Sequence, residues 1–394
     1  RGAKTRGPPG GSLKQKILKR KGPPPTPGLG AALFCPAGKL PLPDGFSKFL
    51  FLTAANGQYN SSMNRFCRKL KVLLLYSVLA VVIAVGCFAA YPALTPRAEH
   101  GSAGYSGILR IWQIDSFEGG RGSRASFLNR AARIFEEKNE GTLILVTAHS
   151  VQSAANAVAE GNIPDMVSYG VGAEFAGDIA LPLDGYDFSY AQVGGKTHAY
   201  PWCRGGYFLF TAEGDFSDVS AENTVISQGG SLPEIAAYCA GMTGDFEFES
   251  SVSAYVSLIN GKYEYMLGTQ RDVYRFTTRQ FSFRAKPLEG FSDLWQYISV
   301  CTDDAKKYNT CLAFLDCLLS DEVQGMLPQI GMMSAERSVY DSSVPAMQDG
   351  EAARPLRSVN AFLSASSLED LRASARLALN GDKIGAKNLE NYLL

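Results

Sequence analysis

Histidine is scarce in this chain, with three in 394 residues (His100, His149 and His198), and no two cysteines stand at a Cys-x-x-Cys spacing. Structural zinc needs several nitrogen or sulfur ligands at short intervals, so the spacing argues against a metal site. The Gly-x-Ser-x-Gly elbow of a nucleophilic serine is absent, and the three histidines fall in a linker, at a strand end and in a polar loop. A catalytic triad has little to start from. The phosphate-cradling Gly-x-x-x-x-Gly-Lys-Ser/Thr spacing is missing as well, which removes nucleotide binding of that type. Acids are rare at one end: residues 1–97 hold 15 of the 38 Lys and Arg but a single acid, Asp44. From Ala98 onward the balance reverses to 23 basic and 37 acidic residues, a net charge of −14. A body this acidic lacks the basic stripe that displaces counterions from phosphates, so no nucleic-acid partner is expected.

Eight cysteines are present: Cys35, Cys67, Cys87, Cys203, Cys239, Cys301, Cys311 and Cys317. Five lie in the body, an odd number, so at least one stays unpaired within a monomer. Small buried apolar residues are the expected role, supported by Cys301, Cys311 and Cys317 in or beside one apolar helix. No cofactor is expected.

At this length more than one compact unit is expected. Residues 1–62 lack a hydrophobic period and carry Pro-rich stretches such as Gly22-Pro23-Pro24-Pro25, so disorder is expected there. Met63, followed by the basic Asn64 to Lys71 segment, is the expected start, with 1–62 a leader; a basic cytoplasmic tail is the alternative. Residues 72–93 are almost wholly apolar and uncharged, long enough at ~1.5 Å per residue to span a bilayer core of about 30 Å. The basic flank places the preceding end inside. Residues 63–97 therefore read as a signal or membrane anchor, either uncleaved or processed and lipidated at Cys87 within Ala84-Val85-Gly86-Cys87. The globular domain is expected over 98–394, beginning with a polar linker.

After that linker the pattern alternates. Residues 108–114 read as a strand, Phe127, Leu128, Ala131, Ile134 and Phe135 recur at helical spacing to Gly141, and 143–146 form a second strand. A helix bearing Val151, Ala154, Ala155, Val158 and Ala159 follows, closed by Gly161, and 166–168 make a third strand. Such alternation implies right-handed crossovers and a largely parallel sheet. In open sheets ligands sit beyond the carboxyl ends of the strands. The first such loop, 115–124, is rich in glycine, which permits close backbone approach. Asp115 and Glu118 within it are the pair of carboxylates available for glycosidase chemistry, but three residues of separation in a Gly-rich loop do not fix the geometry that chemistry requires.

The segments ILRIWQIDSFEGG (108–120), GNIPDMVSYG (161–170), YPWCRGGYFLF (200–210), LGTQRDVYRF (267–276) and KPLEGFSDLWQYISV (286–300), with Leu319 to Gln324 beyond, resemble in order and spacing the extracellular solute-binding proteins of ABC importers, particularly the sugar-binding type of Gram-positive bacteria. The resemblance covers roughly residues 107–335. It implies an α/β fold of two lobes in a periplasmic-binding-protein-like (type II) clamp, closing by hinge bending over a ligand in the cleft. One lobe is expected to combine about 105–200 with 285–332, the other about 203–284 with 333–394, the second being short around Gln228-Gly229-Gly230-Ser231. Matched positions imply ligand contacts from Trp112, Asp115, Glu118, Ser168, Tyr169, Trp202, Arg204, Gln270, Arg271, Asp272, Phe291, Asp293 and Trp295. Their chemistry suits sugars, whose apolar faces stack on aromatic rings and whose hydroxyls take forked donors and acceptors. Core packing for the tryptophans, and an Arg271–Asp272 ion pair for the loop, are the structural alternatives. The implied partners are a small-molecule ligand, a sugar foremost, and separate ABC permease subunits at the outer face of the membrane. A sensory or accessory module with the same clamp, or a glycoside-acting enzyme, are the competing readings.

Overall fold

The computed structural model describes residues 76–80 and 105–394. The expected leader 1–62 and the candidate Cys87 lie outside the described residues, as does the apolar run 72–93 apart from its helical stretch 76–80. Among the described residues no helix is long and apolar enough to cross a membrane. Everything below belongs to the second of the two units into which the chain divides, Phe88–Leu394.

The first elements are β1 (Gly107–Ile114), α1 (Arg124–Lys138), β2 (Thr142–His149), α2 (Val151–Ala159) and β3 (Met166–Tyr169). Helix α1 starts where Ser123 accepts a hydrogen bond from Ser126 N, and it buries Phe127, Leu128, Ala131 and Phe135, a stripe at the i, i+3/i+4 spacing of one helical face. Gly141, at φ +86°, turns the chain into β2 in the left-handed region that favours glycine. A short helix α3 (Phe175–Ile179) and a small hairpin, β4 (Gln192–Val193) with β5 (Lys196–Thr197), lead to β6 (Tyr200–Arg204).

The chain then leaves this sheet through Gly205 and Gly206 and enters a second one. Its elements are β7 (Tyr207–Thr211), β8 (Thr224–Ser227), α4 (Pro233–Cys239), β9 (Glu247–Glu249), α5 (Ser251–Ile259), β10 (Tyr265–Thr269), α6 (Gln270–Thr278) and β11 (Arg284–Pro287). It returns by β12 (Trp295–Val300), followed by α7 (Ala305–Leu318), α8 (Asp321–Gln324), α9 (Pro345–Ala352), α10 (Ala365–Leu379) and α11 (Lys383–Glu390).

The first sheet has the order β2-β1-β3-β12-β6 and the second β11-β7-β10-β8-β9. Both are mixed, where the sequence pattern predicts a largely parallel sheet. In the first, β1 is parallel to β2 and β3, while β12 runs antiparallel to β3 and β6. In the second, β8 is parallel to β10 and β9, and β7 is antiparallel to β10 and β11. The reason lies in the crossovers: a strand arriving from the other lobe needs no covering helix and is free to pair in either direction. A third connection runs beside the first, since Arg204 and Met333 exchange backbone hydrogen bonds at 2.8 and 2.9 Å.

Candidate functional site

The loop after β1 is organised by a buried arginine. Arg124, 2% exposed, donates from Nε to Asp115 Oδ1 at 2.7 Å and from Nη2 to the Phe117 carbonyl at 2.6 Å. Its guanidinium also lies 4.3 Å from the Phe117 ring centre. Asp115 accepts a further bond from Gln113 Nε2 at 3.0 Å, yet its side chain stays 58% exposed. The carboxylate is thus held in place at a strand end while remaining open to solvent.

Glu118 carries this loop onto the second lobe. Its Oε1 accepts from Ser251 Oγ at 2.7 Å and from Arg275 Nη2 at 3.1 Å, and its Oε2 stands 3.8 Å from Arg271 Nε. The backbone joins in. Glu118 N donates to the Gly229 carbonyl at 3.1 Å, Gln270 Nε2 to the Glu118 carbonyl at 3.1 Å, and Arg271 Nη1 to the Gly120 carbonyl at 3.2 Å. At Gly120 a Cβ would sit 2.1 Å from the Gly331 carbonyl oxygen, so only glycine permits this approach. Of the sequence candidates, Glu118, Gln270 and Arg271 are therefore brought together, at the junction of the lobes.

Gln270 and Arg271, expected in a loop, open a helix. The strand spans Tyr265–Thr269, and Asp272 caps the start of α6 by accepting from the Thr269 backbone N–H. Asp272 is fully buried, accepts from Thr269 N at 3.0 Å and pairs with Arg275 at 2.7 Å. The Arg271–Asp272 pair does not form; the partner is the residue three positions on. Gln270, also buried, accepts from Gly206 N at 3.0 Å and so ties the first crossover to α6.

The other candidates lie within the cores. Trp112 packs its ring against His149 with centroids 4.5 Å apart, and Trp202 stacks on Phe127 at 5.3 Å. Ser168 is buried and accepts from Trp202 Nε1 and Gln296 Nε2, while Tyr169 shares a 2.8 Å hydrogen bond with Ser299. Trp295 sets its edge against Phe188 and donates to the Ser292 carbonyl, and Phe291 has no exposed surface. Arg204 is buried at the crossover and donates to the carbonyls of Gly350 and Glu351 in α9; burial pulls its pKa down to about 10. Asp293 is wholly buried and accepts from Tyr207 Oη at 2.7 Å, with burial pushing its pKa up to about 6. The five body cysteines are free thiols, Cys203 and Cys311 buried and the others half-buried. Burial raises the Cys239 thiol to about 11.

Three groups escaped the sequence reading. Ser251 and Arg275 complete the Glu118 cluster, and Arg275 becomes legible only once α6 is known to be a helix, which puts it on one face with Arg271 and Asp272. Arg124 carries no local signal for burial. A cavity of about 350 Å³ beyond the carboxyl end of β8 is lined by Gln228, Ser231, Glu234, Glu369, Arg372 and Arg376 among others. There Arg372 Nε donates to the Ser231 carbonyl at 3.0 Å, and Arg376 Nη2 pairs with the buried Glu234 at 2.8 Å.

No protein-family model matches the chain, and no curated protein is similar to it in sequence. Solved structures do match. The cyclic α-maltosyl-1,6-maltose binding protein from Arthrobacter globiformis aligns over 73% of this chain and 97% of its own, with TM-score 0.51 and 11% identity. The sugar-binding protein MalE from Xanthomonas citri aligns over 72% and 95%, with TM-score 0.50 and 14% identity. The galacto-N-biose/lacto-N-biose I-binding protein of the ABC transporter from Bifidobacterium longum aligns over 73% and 95%, with TM-score 0.50 and 12% identity. At these identities the likeness is one of fold, and the fold is the two-lobed mixed α/β architecture of the maltose-binding-protein type.

Proposed function

We propose that this protein is the solute-binding component of an ABC importer, capturing a carbohydrate in a cavity of its second lobe and handing it to separate permease subunits. The observation that carries the reading is the polar cavity at the carboxyl end of β8, where Gln228, Ser231, Glu369 and Arg372 stand within one space of sugar-binding dimensions. Strand ends are where open α/β sheets take their ligands, and forked amide, carboxylate and guanidinium groups are what sugar hydroxyls need. The neighbours in fold named above bind oligosaccharides, which supports the same ligand class. We assign the lobes to about 105–200 with 285–332 and 203–284 with 333–394. Tethering by the apolar run 72–93, as an uncleaved helix or through a lipid on Cys87, would hold the body at the outer face of the cytoplasmic membrane.

Binding without turnover is the second part of the proposal. A glycosidase needs a carboxyl of raised pKa exposed to its substrate. The raised acid near the crossovers, Asp293, is sealed under Tyr207, and Glu118 is engaged by Ser251 and Arg275. A thermal-shift panel of neutral mono- and oligosaccharides, with peptides and polyamines as comparison, tests the reading. At 100 Kd the right sugar stabilises by about 2.7 kcal/mol, and Arg372→Gln should reduce that gain. A panel in which no carbohydrate raises the melting temperature, or in which a glycoside is hydrolysed, overturns it.

A further inference from the structure

Four arginines converge on a cavity that the carbohydrate reading leaves unused. Of about 300 Å³, it lies between the Gly120–Arg121 stretch of the first loop and the helices α5 and α6, and its walls include Arg121, Arg271, Arg275, Arg279, Tyr255 and Tyr274. No carboxylate is among its lining residues. Two acids stand behind the wall: Asp272 takes Arg275 at 2.7 Å, and Glu118 takes Arg275 at 3.1 Å and stands 3.8 Å from Arg271 Nε.

The other two guanidiniums are oriented without being neutralised. Arg121 donates to the carbonyls of Pro328 and Gln329 at 3.0 and 3.3 Å and lies 5.2 Å from the centre of the Tyr274 ring. Arg279 lies 5.6 Å from the centre of the Tyr255 ring and has no ion pair among the described residues. Carbonyls and ring faces fix the direction of a guanidinium and leave its full charge in place. Four cations against two acids leave two positive charges facing one space, and their mutual repulsion is relieved by an anion placed among them. An adjoining cavity of about 580 Å³ shares Arg121, Tyr274 and Thr278, giving room for the remainder of a small molecule.

We infer that this cavity binds the carboxylate or phosphate group of a small molecule, at a site separate from the carbohydrate cavity beside Ser231. Arg279 and Arg121 supply the forked, uncompensated donors, and Arg271 and Arg275 add field from the side. Because Arg279 is exposed, salt weakens the interaction.

Isothermal titration of the full chain at low ionic strength, with inorganic phosphate, glucose 6-phosphate and glucuronate as probes and glucose as the neutral control, tests the site. Saturable binding of at least one anion is expected. Arg279→Gln and Arg121→Gln should each weaken it about tenfold or more, and Arg372→Gln should leave it unchanged. Phosphate binding alone identifies a phosphoryl ligand, and glucuronate binding without phosphate identifies a carboxylate. Absence of saturable binding by all three anions, or an affinity in both cavity variants equal to that of the parent, overturns the inference. The carbohydrate reading is read out independently, through neutral oligosaccharides and Arg372→Gln, so failure of one leaves the other standing.

Discussion

Buried carboxylates link folding to pH, and Asp293 does so in an unusual direction. Its pKa, pushed up by burial to about 6 against a usual 3.8, means that the folded protein holds a proton the unfolded chain has released between those values. Stability contributed by Asp293 is thus fully present below about pH 4 and lost as pH rises through 6, a loss of about 3 kcal/mol at most. Asp293→Asn keeps an oxygen for Tyr207 and removes the ionisation. Melting temperature followed from pH 4.5 to 7.5 should fall less in the variant than in the parent, and parallel profiles would remove Asp293 as the cause. Asp115, by contrast, keeps its carboxylate open to solvent while Arg124 fixes it, so residue type alone did not separate these two acids.

At the scale of elements, the loop 115–122 is a latch between lobes rather than a free strand-end loop. Glu118 gathers Ser251, Arg275 and Arg271 from α5 and α6, and Gly120 lets the backbone close on Gly331. Glu118→Ala removes the shared acceptor and leaves Arg275 with Asp272 as its one carboxylate partner, beside the Ser251 carbonyl and hydroxyl. The side chain is 28% exposed, which softens the loss to about 1–2 kcal/mol. Small-angle scattering should show the ligand-free variant expanded relative to the parent, since hinge bending then meets less resistance. An unchanged radius of gyration would mean that the crossovers and the third connection at Arg204–Met333 hold the lobes without the latch. The strands and first helices of the body were legible because periodicity and caps act over a few residues. The helix α6 carries no such signal, because it begins directly after the apolar strand Tyr265–Thr269, which hides the boundary.

At the scale of the molecule, α10 touches both sheets' surroundings. Leu368 Cδ1 stands 2.9 Å from the position a Gly172 Cβ would take in the first lobe, while Arg372 reaches the Ser231 carbonyl in the second. Leu368, Leu371, Ala375 and Leu379 are buried, and α10 packs on α4, whose Ile235, Ala236 and Ala237 are buried in turn. Removing 365–394 exposes several such side chains, each worth about 1.5–3 kcal/mol when a leucine or isoleucine is involved, against a total stability of about 5–15 kcal/mol. The shortened chain should lose its cooperative melt and become sensitive to limited proteolysis. A truncated protein that melts within a few degrees of the parent would show that α10 is an appendage.

The sequence by itself determined the acidic body, the alternation of strands and helices, the glycine punctuation and the two crossover stretches, because each is written in composition or in short-range periodicity. Only the tertiary structure decided which side chains turn inward. Trp112, Trp202 and Trp295 all fill cores, since a strand buried on both faces offers no pattern by which one side is told from the other. Arg271 meets Glu118 rather than Asp272 because neighbours one apart on a helix diverge while residues three apart face one another. The gathering of Arg121 with Arg271, Arg275 and Arg279 depends on the close approach of Gly120 and Gly331, a contact between segments far apart in the chain that no local rule of sequence specifies.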